Sequence, residues 1–157
     1  MPDPARELQS LPRVDYADAF RVALPEADAR EAENWARAAL EGSWASTASR
    51  ARLRIRLWWA VVAWNLHPAL SPDRVAGWRV VSRSRTSICI EAAARWGRAQ
   101  IVFLVVPSDD GKQLVMTTFA MFGGWPGRAY FTLLIGPAHR RVAPQLVARA
   151  ATNPRPG

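Results

Sequence analysis

Cysteine is almost absent from this chain of 157 residues, since Cys89 is its only thiol. One cysteine can form neither an intramolecular disulfide nor a cysteine-based zinc site, which favours a reducing compartment. Histidine is nearly as rare, with His67 and His139 as its two examples. The sequence also contains no glycine-rich phosphate loop and no GxSxG nucleophile motif. We therefore expect neither a metal nor a cofactor.

Long apolar runs are lacking as well. The longest, residues 57–66, has about ten residues, whereas a transmembrane helix needs about twenty. The first fifteen residues, MPDPARELQSLPRVD, have no apolar centre of the kind that a signal peptide requires. We accordingly expect no membrane span and a cytoplasmic location.

Lysine is the third scarce residue, because Lys112 is the only lysine among 21 basic residues. A net charge of +8 would ordinarily suggest nucleic acid or an anionic membrane as a partner. The arginines are scattered, however, and the abundance of Arg and Ala suggests GC-rich coding. The densest group, within residues 50–56, alternates with small or apolar residues. We therefore expect no nucleic-acid partner.

The composition is that of a globular protein with a substantial core. Half of the residues are hydrophobic and eight are tryptophan. A chain of this length is close to the common size of one domain. We expect a flexible leader at residues 1–13, a single domain at 14–152 and a loose tail at 153–157.

The first half of the chain predicts one strand followed by two helices. Tyr16–Leu24 has the apolar content of a strand, and 28–40 is rich in helix formers, with Asp28 as a candidate N-cap and Glu31 as its capping-box partner. A second helix is predicted from Ser46 or Ser49 to Leu66. Because Arg and apolar residues alternate at 50–57, a strand there is the alternative.

The second half is β-like until its final segment. Five runs rich in β-branched and aromatic residues predict strands at 78–83, 87–94, 100–106, 113–122 and 128–135. Short turns separate them, SDDGK being the clearest hairpin signal, so neighbouring strands should be antiparallel. A last helix is predicted at 138–151, and Pro144 should either start its regular part or kink it. The fold class is α+β, with a curved antiparallel sheet of about six strands packed on a C-terminal helix and two helices inserted after strand 1.

Two stretches carry a family resemblance. The chain resembles a domain of unknown function in two places. One is the early stretch DYADAFRVALP, and the other is the ending, with Gly127-Arg128-x-Tyr130, Pro137-x-His139-Arg140 and a final helix. That domain also occurs fused behind NmrA-like short-chain reductases. The element order is similar to the helix-grip fold of the START, polyketide-cyclase and birch-pollen-allergen (SRPBCC) superfamily.

This resemblance implies a cavity between sheet and helix that binds a small hydrophobic or polycyclic molecule. Superfamily members range from lipid carriers to cyclases, dehydratases and hydrolases. The predicted sheet has six strands where the allergen-type fold has seven, and the final helix is short, which implies a smaller or more open cavity.

His139 is the leading catalytic candidate, because an unperturbed imidazole titrates near neutral pH. The alternative is that it only caps the junction between strand and helix. Tyr130 and Arg128, two residues apart on a predicted strand, would share one face, where Tyr130 could donate a hydrogen bond to a ligand carbonyl. An ordinary core position for Tyr130 is equally consistent with the sequence.

Further candidate ligand contacts are Arg140, Glu91, Thr118, Phe119 and Trp125. Arg140 lies at a predicted helix start, where the helix dipole favours an anion over a cation, so it could bind an anionic group of a ligand such as a carboxylate. The alternative is an arginine that is solvated or paired with an acidic loop. Glu91 would have a raised pKa if it were buried in the pocket, whereas on the outer face of its strand it would pair with Arg79 or Arg98. We expect the outer face.

Two predicted strands, 100–106 and 113–122, carry apolar side chains on both of their faces. The second face of the sheet is therefore either covered within the chain or hidden in a homodimer.

The functional expectation is binding of a small hydrophobic molecule, with cofactor-free cyclisation, isomerisation or dehydration. The alternative is a non-enzymatic carrier or a partner module for a reductase.

Overall fold

The structure, a computed structural model, describes residues 4–41, 71–94 and 96–152. Its strands are β1 (Tyr16–Leu24), β2 (Arg74–Val75), β3 (Trp78–Arg83), β4 (Ser87–Ala94), β5 (Gly97–Ser108) and β6 (Gly111–Phe122). Its helices are α1 (Pro4–Leu8), α2 (Ala32–Leu40), α3 (Trp125–Tyr130) and α4 (Gly136–Thr152), with a π-helical segment at Phe131–Ile135 between α3 and α4. The helix predicted from Ser46 or Ser49 to Leu66 lies outside the described residues.

The six described strands form one antiparallel sheet in the order β1-β6-β5-β4-β3-β2. The SDDGK hairpin is confirmed, since Ser108 pairs with Gly111 across a two-residue turn. β1 lies at one edge of the sheet and pairs along its full length with β6. This α+β architecture, a curved open sheet with a C-terminal helix, confirms the predicted fold class and is consistent with a helix-grip fold.

Helices α2 and α4 cover the inner face of the sheet. α2 buries Ala32, Trp35, Ala36 and Ala39, whose spacing of three, one and three residues places them on one helical face. α4 buries Ala143, Val147 and Ala150 in the same core. Because these side chains are small, α4 can approach both α2 and β1 closely.

The predicted strand at 128–135 is wrong. These residues belong to α3 and the π-helical segment, which continue directly into α4. Pro126 occupies the second position of α3, where its missing N–H is tolerated. The sheet still has six described strands because the short β2, which was not predicted, supplies the sixth.

Two helix starts also differ from expectation. α2 begins at Ala32 after Glu31, with no side-chain cap, so the N-cap predicted at Asp28 is wrong. The Asp28 carboxylate instead binds the Arg30 guanidinium at 2.8 Å. The final helix is confirmed, but it starts at Gly136 and runs through Pro144.

The N-terminal segment covers the outer face of the sheet. We expected residues 1–13 to form a flexible leader, whereas Pro4–Leu8 forms α1 and buries Ala5, and Leu11 is 5% exposed. They pack in an outer-face cluster with Cys89, Val102 and Phe119. The two strands with apolar side chains on both faces, β5 and β6, are therefore covered within the chain. Their pattern does not require a homodimer.

Candidate functional site

Four polar side chains meet on the inner face of the sheet, beside α4: Tyr16, Asp18, Thr118 and His139, here called the polar cluster. Strand alternation places Tyr16 and Asp18 on the same face of β1, and the register pairs Asp18 with Thr118 on β6. His139 reaches them from the first turns of α4. The contact between Asp18 and His139 therefore joins residues 121 positions apart in sequence.

His139 makes two polar contacts through the same ring nitrogen. Its Nε2 lies 3.3 Å from Asp18 Oδ1 and 3.1 Å from Thr118 Oγ1. The Tyr16 hydroxyl donates to the other carboxylate oxygen, Asp18 Oδ2. The side chains of His139 and Asp18 retain 19% and 16% of their exposure, so the cluster is sheltered but reachable from solvent.

The environment keeps Asp18 ionised and Tyr16 neutral. Burial by itself raises the pKa of Asp18, but the hydrogen bonds from His139 and Tyr16 outweigh it and hold the pKa below its usual value. Burial, followed by the hydrogen bond to Asp18 and its negative charge, raises the pKa of Tyr16 to about 12, although Arg140 acts in the opposite direction. Tyr16 is thus a permanent donor to an acceptor that stays charged.

This arrangement selects one tautomer of neutral His139. An ionised carboxylate only accepts hydrogen bonds, so a bare Nε2 facing Asp18 would place two lone pairs against each other. We assign the proton to Nε2 for this reason. Nδ1 then carries the lone pair, and among the described residues it has no hydrogen-bond partner. His139 can therefore accept a proton at Nδ1.

A small pocket adjoins the polar cluster. Its lining includes Tyr130, Phe131, Ile135 and Phe122, and it has room for about 20 Å³. That volume accommodates roughly one water molecule. The Phe131 ring also lies 4.5 Å from the Tyr16 ring, between centroids, so the pocket and the cluster share a wall. A polycyclic ligand does not fit inside this pocket as it stands.

The structure brings together some of the sequence-predicted site residues. Thr118 and His139 belong to the polar cluster, and Arg140 lies close enough to Tyr16 to affect its pKa. Tyr130 lines the adjoining pocket, but from the end of α3 rather than from a strand. The shared strand face predicted for Tyr130 and Arg128 is therefore wrong.

The other predicted residues lie elsewhere. Phe119 follows Thr118 on the same strand, points to the opposite face and is buried under the N-terminal segment. Trp125 is 80% exposed, and Arg128 is also exposed on α3. These three residues do not line the polar cluster.

Glu91 lies on the outer face, where the sequence placed it, and pairs with both predicted partners. Its carboxylate binds Arg79 at 2.9 Å, Arg98 at 2.6 Å and Gln100 Nε2 at 2.8 Å. Burial raises its pKa, but the Gln100, Arg79 and Arg98 hydrogen bonds outweigh this and lower the pKa overall. Gln100 in turn binds Ser10, which ties the N-terminal segment to the sheet. Glu91 is thus part of a structural network rather than a proton-transfer group in the cluster.

Sequence reasoning did not identify Tyr16 and Asp18 as site residues. A usable signal was present in β1, where Tyr16, Asp18, Phe20 and Val22 occupy alternate positions. An acidic residue in an otherwise apolar alternating set needs a partner. The identity of that partner depends on the β1–β6 register and on the placement of α4.

Within residues 4–41, 71–94 and 96–152, no group of three or more His, Cys, Asp or Glu side chains is placed to hold a metal ion. Within the same ranges, no helix combines the length and the apolar content needed to cross a membrane.

Solved structures similar to this chain include two structural-genomics targets. A Chromobacterium violaceum protein is 12% identical, with 87% of this chain and 99% of that chain covered and a TM-score of 0.43. A Rhodobacter sphaeroides protein is 14% identical, with 90% and 93% covered and a TM-score of 0.40. Likenesses this weak establish nothing about function.

No curated protein matches the chain. The family described as "Protein of unknown function (DUF2867)" matches residues 10–146, which include β1, the whole sheet, the polar cluster and most of α4. The chain therefore belongs to the DUF2867 family.

Proposed function

We propose that this protein binds a small, largely apolar molecule through a carbonyl group at the polar cluster, and that His139 removes a proton from the carbon next to that carbonyl. The observation that supports this most strongly is the contact between His139 Nε2 and Asp18, whose pKa is held low, because the tautomer that it favours leaves the lone pair on Nδ1. A positioned imidazole with this tautomer is a suitable general base.

Arg140 supplies the complementary charge. It follows His139 on α4, is exposed, and lies near the Tyr16 hydroxyl. When the proton leaves carbon, negative charge develops on the carbonyl oxygen, and a guanidinium can stabilise it. The proton moves to Nδ1 and the electron pair moves to oxygen, giving an enolate. Cyclisation, isomerisation and dehydration of carbonyl compounds can all begin with this step.

The relationship to the helix-grip superfamily is part of this proposal. The helix-grip arrangement is compatible with the START and polyketide-cyclase superfamily, whose members bind apolar molecules between sheet and helix. The small pocket beside Tyr16 supports a ligand that contacts the cluster from its accessible side rather than an enclosed polycycle. A carrier, or a module that acts with an NmrA-like reductase, is the alternative, in which the bound molecule leaves unchanged.

Native mass spectrometry of the protein purified from the organism that encodes it tests this proposal. We expect a bound small molecule in the wild type and a strongly reduced occupancy in His139→Asn and Asp18→Asn. Arg21→Gln is the matched control, because Arg21 is exposed on the opposite face of β1. It should retain the molecule fully.

Incubation with the released molecule then separates the two functions. An enzyme converts the molecule, and His139→Asn abolishes the conversion; a carrier returns it unchanged. Wild-type spectra that contain only the ligand-free mass, or equal occupancy in all variants, would refute the proposed site. Urea unfolding of each variant shows whether a loss of binding merely reflects a loss of folding.

A further inference from the structure

The helical region after β6 carries an exposed apolar surface. Trp125, Leu133 and Leu134 are 80%, 74% and 57% exposed, and we call these three residues the apolar tip. The same helical region buries Gly127 and Phe131 against the rest of the protein. The tip therefore lies on the side that faces away from the core, where water contacts large side chains at a cost in free energy.

Positive charge continues from the apolar tip along α4. Arg141 and Arg149 are both exposed. From Gly111 to the C-terminus the sequence contains six basic residues and no Asp or Glu. The surface therefore combines a tryptophan and two leucines with a helix whose formal side-chain charge is entirely positive.

We propose that this surface docks the protein on an anionic lipid bilayer. Trp and Leu side chains favour the boundary between headgroups and acyl chains, while Arg favours the anionic headgroups beside them. The charge argues against a second copy of this chain, because a symmetric contact would bring two sets of α4 arginines together. Nucleic acid would account for the arginines but leaves the exposed leucines without a role. This proposal is independent of the chemistry at His139.

Vesicle co-sedimentation with the full chain tests the proposal. We expect binding to phosphatidylcholine vesicles that contain about 30% phosphatidylserine, and weak binding to phosphatidylcholine alone, since each basic residue near an anionic surface contributes about 1 kcal/mol. By that constant, Arg141→Glu should lower the partition coefficient at least about fivefold. Leu133→Ser/Leu134→Ser should lower it further, and its effect should persist at high salt, because it acts through apolar burial.

Arg21→Glu is the matched control, because it changes the net charge equally from an exposed position on the other side of the sheet. It should bind almost as well as the wild type. Circular dichroism and urea unfolding without vesicles confirm that the variants are folded.

Four results would overturn the proposal. The first is equal binding to neutral and anionic vesicles, and the second is an Arg21→Glu loss as large as that of Arg141→Glu. The third is self-association without vesicle binding. It would be seen as a concentration-dependent dimer that Leu133→Ser/Leu134→Ser abolishes, in a protein that does not sediment with vesicles. The fourth is binding to duplex DNA without binding to vesicles. If Leu133→Ser/Leu134→Ser leaves that DNA binding intact, the surface binds nucleic acid instead.

Discussion

Replacing Trp35 by alanine is expected to lower the free energy of unfolding by about 4 kcal/mol. Trp35 is fully buried, at 0% exposure, where α2 packs against the sheet and α4. The Arg30 guanidinium lies 3.5 Å from the centre of its ring and is itself fixed by Asp28. Alanine would therefore leave a large cavity and remove a cation–π contact. Urea denaturation followed by circular dichroism measures the effect.

Trp125→Ala is the matched control for this prediction. It deletes the same side chain from a position that is 80% exposed, so the free energy of unfolding should change by less than about 0.5 kcal/mol. If the two variants lose similar stability, Trp35 does not hold α2 to the core as described.

Replacing Glu91 by alanine should lower the free energy of unfolding by about 3 kcal/mol, because hydrogen bonds to charged groups are strong and a buried partner is left unsatisfied. Arg79 and Arg98, whose side chains are 58% and 39% exposed, can turn to solvent. Gln100, at 0% exposure, loses its Glu91 acceptor and keeps its bonds to Ser10. Urea denaturation at neutral pH tests this value, with exposed Glu26→Ala as the control.

The pH dependence of the same variant gives a second, independent signature. The pKa of Glu91 is lowered in the folded protein. The contribution of ionised Glu91 to the free energy of unfolding is therefore fully present above the pKa that this residue has in the unfolded chain. The contribution is lost as the pH falls through the folded pKa. The stability difference between the wild type and Glu91→Ala should therefore shrink in acid. A difference that stays constant from neutral to strongly acidic pH would contradict the ionised network.

Much of the fold could be predicted because the relevant information is local. The β-like composition of residues 87–94, the SDDGK turn and the helix formers before Leu40 are short local signals. A strand, a hairpin and a helix form at these places, although the helix begins at Ala32 rather than at Asp28. The pairing of Glu91 with Arg79 and Arg98 could also be anticipated, since neighbouring antiparallel strands place them nearby.

Residues 128–135 show where local information fails. Their β-branched and aromatic composition favours a strand, yet tertiary contacts select a helix. Gly127 lies against the Trp96 backbone, where a Cβ would be 2.3 Å from the carbonyl oxygen, and Phe131 packs between Tyr16 and Phe122. These contacts depend on segments far apart in sequence.

The polar cluster could be predicted only in part for the same reason. His139 and Thr118 were identified individually, but Asp18 becomes their partner through the β1–β6 register and the close approach of α4. That approach depends on small residues such as Ala143 and Ala150, whose importance is evident only once the partner surface is known.

The ¹⁵N chemical shifts of the His139 ring nitrogens test the central claim most directly. They would be recorded at a pH where the imidazole is neutral and assigned with the help of a His67→Gln variant. We predict a protonated Nε2 and a bare Nδ1 in the free protein, with the Nδ1 resonance shifting when the co-purified molecule is added back. A protonated Nδ1, or ring resonances that do not respond to that molecule, would contradict the assignment of this cluster as the binding site.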